Sequence, residues 1–174
     1  MFFLLNQLDT SVTSAVVSLI PRSSLIDHFF SFWSVSFHAL PIWIAVVILI
    51  MIFEEKHHHM FIVSCILAFG ISGLLSNFVI KNIVQRPRPV VAINQTYQCP
   101  TDFSFPSSHA ATAFATATVI VAFHKKKKWI FYALLYTVAV LISLSRIYLQ
   151  CHFVGDIVFG AILGYLIGKL FSPK

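Results

Sequence analysis

Three short stretches of an otherwise apolar chain hold residues whose types and spacing suit phosphate chemistry. They are KNIVQRPRP at 81–89, FPSSHA at 105–110 and SRIYLQCHFVGDIVFG at 145–160. The third stretch places Arg146, His152 and Asp156 next to predicted membrane-spanning sequence, where each ionisable side chain costs free energy. Such a concentration of polar groups indicates a functional site.

The cationic side chains of these stretches suit an anion. Arginine offers a planar fork that matches phosphate oxygens and keeps its proton, and Lys81 adds a compact charge. Pro106, Ser107 and Ser108 open a predicted helix, whose first backbone N–H groups have no partner within the helix. A helix start of this kind is a ready anion site.

Two histidines complete the predicted chemistry. His152 and Asp156 are four residues apart, which places them on one face of a predicted helix. The carboxylate can then hold the Nδ1–H of His152 and leave Nε2 free to attack. His109 can give a proton to a leaving alkoxide and then take one from water. These parts predict phosphoryl transfer through a phosphohistidine, with no metal and no cofactor required.

The elements that position these residues are predicted to be membrane helices. Of 174 residues, 58% are hydrophobic and 10% are charged, against roughly a quarter charged in soluble domains. We expect a single all-α domain over residues 1–174, a polytopic helical bundle with about five transmembrane helices. The spans are predicted near 34–53, 60–80, 105–123, 129–145 and 152–171. The last span has glycines at mostly four-residue intervals, which indicates close packing: Gly155, Gly160, Gly164 and Gly168.

The amino-terminal segment and the charges set the predicted orientation. Residues 1–24 suit a helix lying in the membrane interface, with a buried or spanning helix as the alternative. The net charge is +6, and Lys125–Lys128 form a run of four lysines in a short loop, a strong cytoplasmic signal. The charge therefore indicates contact with anionic lipid and not with nucleic acid. The three polar stretches should face the other side, the periplasm in a bacterium.

The order and spacing of the motifs resemble a known signature. Lys81-x6-Arg88-Pro89, then Pro106-Ser107-Ser108-His109, then Ser145-Arg146-x5-His152-x3-Asp156 are similar to the three-part signature of the type 2 phosphatidic acid phosphatase superfamily. That superfamily includes soluble acid phosphatases and vanadium haloperoxidases. The resembling region covers nearly half the chain, and three spaced motifs in order are highly specific.

The resemblance implies a role for each matching residue. His152 would be the nucleophile, Asp156 its orienting carboxylate and His109 the general acid. Phosphate would be bound by three cationic side chains, one hydroxyl and two backbone N–H groups, those of Lys81, Arg88, Arg146, Ser107, Ser108 and His109. One departure is that Ser108 stands where the family commonly has glycine; the backbone donor survives, but the added side chain can narrow the pocket.

Two further features fit no motif position. Arg86 is predicted to contact the surface or a lipid headgroup, in preference to a catalytic role, which stays the alternative. Cys99 and Cys151 fall on the same predicted face, where a disulfide would pin the loop beside His152. The sequence gives no distance between them, so both the paired and the unpaired state remain open.

Taken together, these observations predict a membrane enzyme that removes phosphate from a lipid phosphomonoester or pyrophosphate at the outer face of a bacterial inner membrane. The bacterial setting is inferred from size and family. The resemblance admits lipid A 1-phosphate, undecaprenyl pyrophosphate, phosphatidylglycerol phosphate and phosphatidate, with the first two favoured.

Two alternatives remain: a phosphatase of a soluble ester, and a non-catalytic anion-binding transporter. The second would not need an oriented nucleophile such as His152 beside Asp156. A haloperoxidase would need bound vanadate, and the membrane setting argues against it. The oligomeric state is left open.

Overall fold

A computed structural model describes residues 2–34, 41, 43–48, 58–89, 99–124 and 128–173. The regular secondary structure within these ranges is all helical, which confirms the all-α prediction. Residues 43–48 are helical, and the longer elements are α1 (Phe2–Ser18), α2 (Ser24–Ser34), α3 (His58–Leu74), a π-helical segment (Leu75–Ile80), α4 (Lys81–Val84), α5 (Ser108–Phe123), α6 (Trp129–Tyr148) and α7 (Val154–Leu170).

Two helices of the described ranges are long and apolar enough to cross a membrane. One is the continuous helix His59–Val84, and the other is α6. Helix α5 is apolar but shorter. The span predicted near 34–53 lies largely outside the described residues. These helices are consistent with a helical membrane protein, and the count of five spans stays a prediction.

Several helix boundaries differ from those predicted. The helix predicted to end at Ile80 runs on to Val84, and Gln85 then ends it with a left-handed backbone, φ 49°. Helix α6 extends to Tyr148, so Arg146 lies inside it and not in a connection.

The start of α7 corrects the prediction about His152. Phe153 is the N-cap and Val154 the first helical residue, so His152 precedes the helix. The Asp156 carboxylate accepts the backbone N–H of Phe153 at 3.0 Å, a capping interaction that fixes this start. The prediction that His152 and Asp156 share one helix face is therefore wrong, although the fold still brings their side chains together.

The centre of the bundle is α5, which packs against α3, α6 and most extensively α7. Three glycines of α7 allow the closest approach, because a Cβ on any of them would meet the α5 backbone. A Cβ added at Gly160 would lie 2.5 Å from the carbonyl oxygen of Ser107. The same distance would be 2.1 Å from Gly164 to that of Ala111 and 2.7 Å from Gly168 to that of Ala115. This confirms the close-packing face predicted from glycine spacing for these three positions. Gly155, the fourth, faces α1 instead.

Candidate active site

Lys81 is carried by the helix that contains the π-helical segment. Its side chain is buried, and its Nζ donates to Oδ1 of Asn77 at 3.1 Å and to the carboxylate of Asp102. Single π turns within a helix widen it locally and recur at functional sites. Here the π segment ends directly before Lys81.

Arg88 joins two of the polar stretches. Its Nε donates to the carbonyl oxygen of Asp102 at 2.8 Å and its NH2 to Oδ1 of Asp102 at 2.5 Å. Its NH1 donates to the carbonyl oxygen of Cys151 at 2.7 Å and lies 3.1 Å from Nε2 of His152. The predicted phosphate ligand Arg88 is therefore in direct contact with the predicted nucleophile.

This contact determines the tautomer of His152. A guanidinium can only donate, so Nε2 must accept and must carry the lone pair. The proton of the neutral ring is then on Nδ1, which lies 3.4 Å from Oδ2 of Asp156, longer than an ordinary hydrogen bond. The tautomer is the one that the sequence predicted for an attacking Nε2. The predicted hydrogen bond from Nδ1 to Asp156 is not formed at this distance, and Nε2 is in contact with Arg88.

The protonation state of His152 agrees with that assignment. His152 lies in the connection between α6 and α7 and is almost fully buried. Burial lowers its pKa to about 4, with Asp156 acting in the opposite direction and Arg146 and Arg88 acting with burial. The imidazole is therefore neutral at neutral pH, as a nucleophile must be.

Asp156 has no exposed surface and is held by several donors. Its Oδ2 accepts the hydroxyl of Ser104 as well as the Phe153 N–H. Its Oδ1 accepts from NH1 of Arg86 at 2.7 Å. A buried carboxylate needs such partners to remain charged.

The FPSSHA stretch starts α5 beside these groups. Ser107 is the N-cap; its hydroxyl accepts from the N–H of Ala110 at 3.5 Å, and its own N–H donates to the backbone oxygen of Asp156 at 3.1 Å. Ser108 is the first residue of the helix. His109 follows and is near enough to His152 to interact with it electrostatically.

Arg146 reaches the same site from α6. It is fully buried, and its NH1 donates to the carbonyl oxygen of Ser34 at 3.1 Å and to the Ser34 hydroxyl. Its charge also acts on Lys81, His109 and His152. The structure thus gathers all the site residues predicted from sequence at one end of α5, α6 and α7.

Residues 60–173 match the family model described as the PAP2 superfamily. This chain belongs to the PAP2 superfamily. The match confirms the family that the sequence motifs resemble, and it includes every site residue predicted from sequence.

Individual PAP2-related proteins are also similar to the chain. An undecaprenyl-diphosphatase from Sulfolobus acidocaldarius is 33% identical over 132 residues, which cover 74% of this chain and 61% of that protein. Phosphatidylglycerophosphatase B from Bacillus subtilis is 37% identical over 111 residues, covering 59% of this chain and 52% of that protein. The chain therefore spans about half to three-fifths of the length of these relatives.

The fold is similar to that of a solved PAP2 enzyme. The crystal structure of a transmembrane PAP2 type phosphatidylglycerolphosphate phosphatase from Bacillus subtilis has a TM-score of 0.73 and 28% sequence identity. The similarity covers 96% of this chain and 84% of that one. It therefore extends beyond the signature motifs to most of the helices.

Among the described residues, two charged side chains that contact the predicted PAP2 site residues were not assigned to the site from sequence. Asp102 receives hydrogen bonds from both Lys81 and Arg88. Burial alone would raise the pKa of its carboxyl, but these hydrogen bonds outweigh burial and hold the pKa below its usual range. The two cations predicted to bind phosphate thus already converge on one anionic group, which shows that they can share an anion.

Arg86 is the second residue missed. Only 16% of its side chain is exposed, and it bridges the carboxylates of Asp9 and Asp156 at 2.7 Å each. The prediction of a surface or headgroup contact is wrong, because the guanidinium is paired with two carboxylates inside the fold. One of them, Asp9, lies 77 residues away on α1. The one signal in the sequence was its place within KNIVQRPRP, between two motif residues.

Of the two states that the sequence left open for Cys99 and Cys151, the structure has the paired one. Cys99 and Cys151 form a disulfide with their Cα atoms 5.4 Å apart. Cys151 precedes His152 directly, and its carbonyl oxygen is the one that accepts from Arg88. The cross-link therefore ties the residue before the predicted nucleophile to the chain that leads into Asp102.

Proposed function

We propose that the protein is an integral-membrane phosphatase that hydrolyses the phosphomonoester or pyrophosphate group of an envelope lipid, without a metal or other cofactor. Undecaprenyl pyrophosphate and lipid A 1-phosphate are the favoured substrates; phosphatidylglycerol phosphate and phosphatidate are the others considered. The observation that carries the proposal is the neutral His152, whose Nε2 lone pair faces Arg88 while Nδ1 faces Asp156.

The first chemical step forms a phosphohistidine. Lys81, Arg88 and Arg146 hold the phosphoryl oxygens, with the Ser107 hydroxyl and the backbone N–H groups of Ser108 and His109 as further donors. Nε2 of His152 forms a bond to phosphorus while the bond from phosphorus to the leaving oxygen breaks. His109 gives its proton to that oxygen, and the lipid alcohol or lipid monophosphate leaves.

The second step regenerates the enzyme. His109, now neutral, takes a proton from water, whose oxygen attacks phosphorus as the P–N bond breaks. Inorganic phosphate leaves, and His152 recovers its lone pair. Asp156 stabilises the positive charge that the imidazole carries in the intermediate, and the fixed cations stabilise the phosphoryl oxygens in both steps.

A lipid substrate is supported by the surroundings of the site. The named relatives act on an undecaprenyl diphosphate and a phosphatidylglycerophosphate according to their names. A cavity of about 1050 Å³ beside Arg86 is lined mainly by apolar side chains, among them Ile83, Phe105, Val158 and Phe159. A cavity of this character suits an acyl or prenyl chain.

The membrane setting is proposed on sequence grounds. About five spans, with α1 in the interface, would place the carboxyl-terminal end of α6 and the start of α7 on the side opposite the lysine run at 125–128. In a bacterium this arrangement faces the site to the periplasm at the inner membrane. The partners are then the bilayer and a lipid substrate that arrives laterally.

The test is release of inorganic phosphate by the purified protein in detergent with EDTA present. Each of the four lipids is supplied in turn, together with glucose 6-phosphate as a soluble ester. We expect release from at least one lipid and little from the soluble ester. Complete dependence on an added divalent metal would contradict the mechanism, hydrolysis of the soluble ester alone would support the first alternative, and lipid binding without release would support the non-catalytic alternative.

A further inference from the structure

Arg86 links the predicted catalytic carboxylate to the amino-terminal helix. Its NH1 donates to Oδ1 of Asp156 and to Oδ2 of Asp9, both at 2.7 Å, and its NH2 donates to Oδ1 of Asn6 at 2.8 Å. The guanidinium also lies over the ring of Phe153, 3.9 Å from its centroid. The Arg86 side chain is thus fixed on several sides.

The charge balance excludes a phosphate-binding role for Arg86. One guanidinium contacts two carboxylates, so the group of Asp9, Arg86 and Asp156 has a net charge of −1. A group with that charge does not attract a phosphate. Lys81 and Arg88 pair instead with Asp102, and Arg88 also contacts His152.

The contact instead controls how the Asp156 carboxylate is turned. Arg86 holds Oδ1, and the Ser104 hydroxyl and the Phe153 N–H hold Oδ2. With both oxygens held, Oδ2 is the atom that faces Nδ1 of His152. Arg86 also places a positive charge beside this fully buried carboxylate, in addition to the hydrogen bonds from Ser104 and Phe153.

Asp9 in turn is held by the start of α7. Its Oδ1 accepts the backbone N–H of Gly155 at 2.8 Å. One turn further along α1, the hydroxyl of Thr13 accepts the backbone N–H of Val154 at 3.0 Å. These N–H groups are among those that a helix start leaves without intrahelical partners. Helix α1 therefore caps α7 and holds Arg86 with the same side chain, Asp9.

We propose that Arg86, held by Asp9, is a positioning residue for Asp156, so that α1 is part of the active-site machinery. Asp9 lies outside residues 60–173, the part of the chain that the family model matches. The inference rests on the proposed function, since it concerns the same site. It adds a dependence of turnover on a helix that the motifs do not include.

The principal test measures kcat, KM and the Ki of inorganic phosphate for Arg86→Gln, Arg86→Lys and Asp9→Asn on the lipid that the wild-type protein hydrolyses fastest. We expect Arg86→Gln to lower kcat by about 10- to 100-fold, by analogy with the loss of groups that orient the ligands of metal sites. The Ki of inorganic phosphate should stay unchanged, because Arg86 pairs with Asp9 and Asp156 and is not a predicted phosphate ligand. KM for the lipid is recorded separately, because Arg86 also lines the cavity assigned to the lipid chain. Arg86→Lys should restore part of kcat.

A double-mutant cycle distinguishes positioning through Arg86 from a separate effect of α1. Asp9→Asn alone should lower kcat by a smaller factor, and it should add little in the Arg86→Gln background because the two act in one chain of contacts. Gly155→Ala provides a variant without a charge change. A Cβ there would lie 2.6 Å from Oδ2 of Asp9 and displace that carboxylate, so its kcat should fall like that of Asp9→Asn.

A second arginine–aspartate pair supplies matched controls. Arg22, in the connection between α1 and α2, contacts Asp27 of α2 at 3.3 Å and donates to the backbone oxygen of Tyr148; neither residue is among the predicted site residues. Arg22→Gln and Asp27→Asn should leave kcat unchanged. If Arg86→Gln does not fold, Arg86→Lys, Asp9→Asn and Gly155→Ala still carry the test, with melting temperatures recorded for each.

The outcomes separate this inference from the proposed function. Wild-type activity that is lost in His152→Ala and unchanged in the Arg86 and Asp9 variants would overturn the inference alone. Parallel changes in the Ki of inorganic phosphate and in melting temperature, without a specific loss of kcat, would reduce Arg86 to a structural role and also overturn the inference. A wild-type protein that hydrolyses none of the lipids would overturn both.

Discussion

Nε2 of His152 lies 3.1 Å from NH1 of Arg88. The predicted attacking atom and a predicted phosphate ligand therefore lie in direct contact. A phosphoryl group placed with its phosphorus at Nε2 would have an oxygen within reach of the guanidinium. In the proposed mechanism, the same contact would orient the lone pair before substrate arrives and would place positive charge beside the transferred group afterwards.

If His152 is the nucleophile, its loss should abolish turnover. We expect His152→Ala to lower kcat by about 10³-fold or more, as removal of a covalent nucleophile does in other enzymes. Rapid quenching with a ³²P-labelled lipid should leave acid-labile label on the wild-type protein and none on the variant. His28→Ala is the matched control, because His28 is an exposed residue of α2 whose ring contacts its own helix. Unlabelled wild-type protein during active turnover would remove the phosphohistidine from the mechanism.

Asp102 should compete with phosphate for Lys81 and Arg88. Because its carboxylate binds both cations, Asp102→Asn removes a negative charge from the site that phosphate enters. We expect the Ki of inorganic phosphate to fall by about 3- to 10-fold, equivalent to about 1 kcal/mol for partly exposed charge pairs. Product-inhibition kinetics measure it, with Asp27→Asn as the control. A higher Ki would instead mean that Asp102 orients the two cations.

Two glycines should respond in opposite directions to alanine. Gly164→Ala would place a Cβ 2.1 Å from the carbonyl oxygen of Ala111 and force α5 and α7 apart. Overpacking of this kind costs about 1–3 kcal/mol of unfolding free energy. Gly70→Ala meets no atom within 4 Å and should stabilise α3 by up to about 1 kcal/mol through helix propensity. Melting temperatures in detergent should fall for the first and rise or hold for the second, and equal shifts would contradict the packing argument.

The disulfide should support both stability and turnover. Its partners are 52 residues apart, and closing a loop of that length stabilises a fold by about 4 kcal/mol in the chain-entropy description. We expect a reductant, or the double variant Cys99→Ser with Cys151→Ser, to lower the melting temperature. kcat should fall too, because Cys151 holds Arg88 beside His152. Cys65→Ala should respond to reductant as the wild type does, whereas a double variant still sensitive to reductant would point to another target.

The sequence predicted the short motifs of the site better than the long-range contacts between their side chains. Motif spacing placed His109, His152 and Asp156 in one site because each motif is short and tied to a helix start. It placed His152 on a helix, however, because sequence spacing does not reveal that Asp156 caps the backbone at Phe153. Arg86 was misjudged for a related reason, since its partners come from α1 and α7. Long-range ion pairs leave little trace in the order of residues, whereas apolar spans and glycine spacing can be read from that order directly.

The bond between Cys99 and Cys151 also closes a ring in the covalent structure. That ring contains Asp102, the start of α5 with His109, all of α6 and Arg146. A single cut of the backbone anywhere inside it, for example between His124 and Trp129, leaves one molecule and not two fragments. The two halves would keep the residues of the site on a shared covalent framework. An oxidised, nicked enzyme can therefore remain whole where a reduced one would divide.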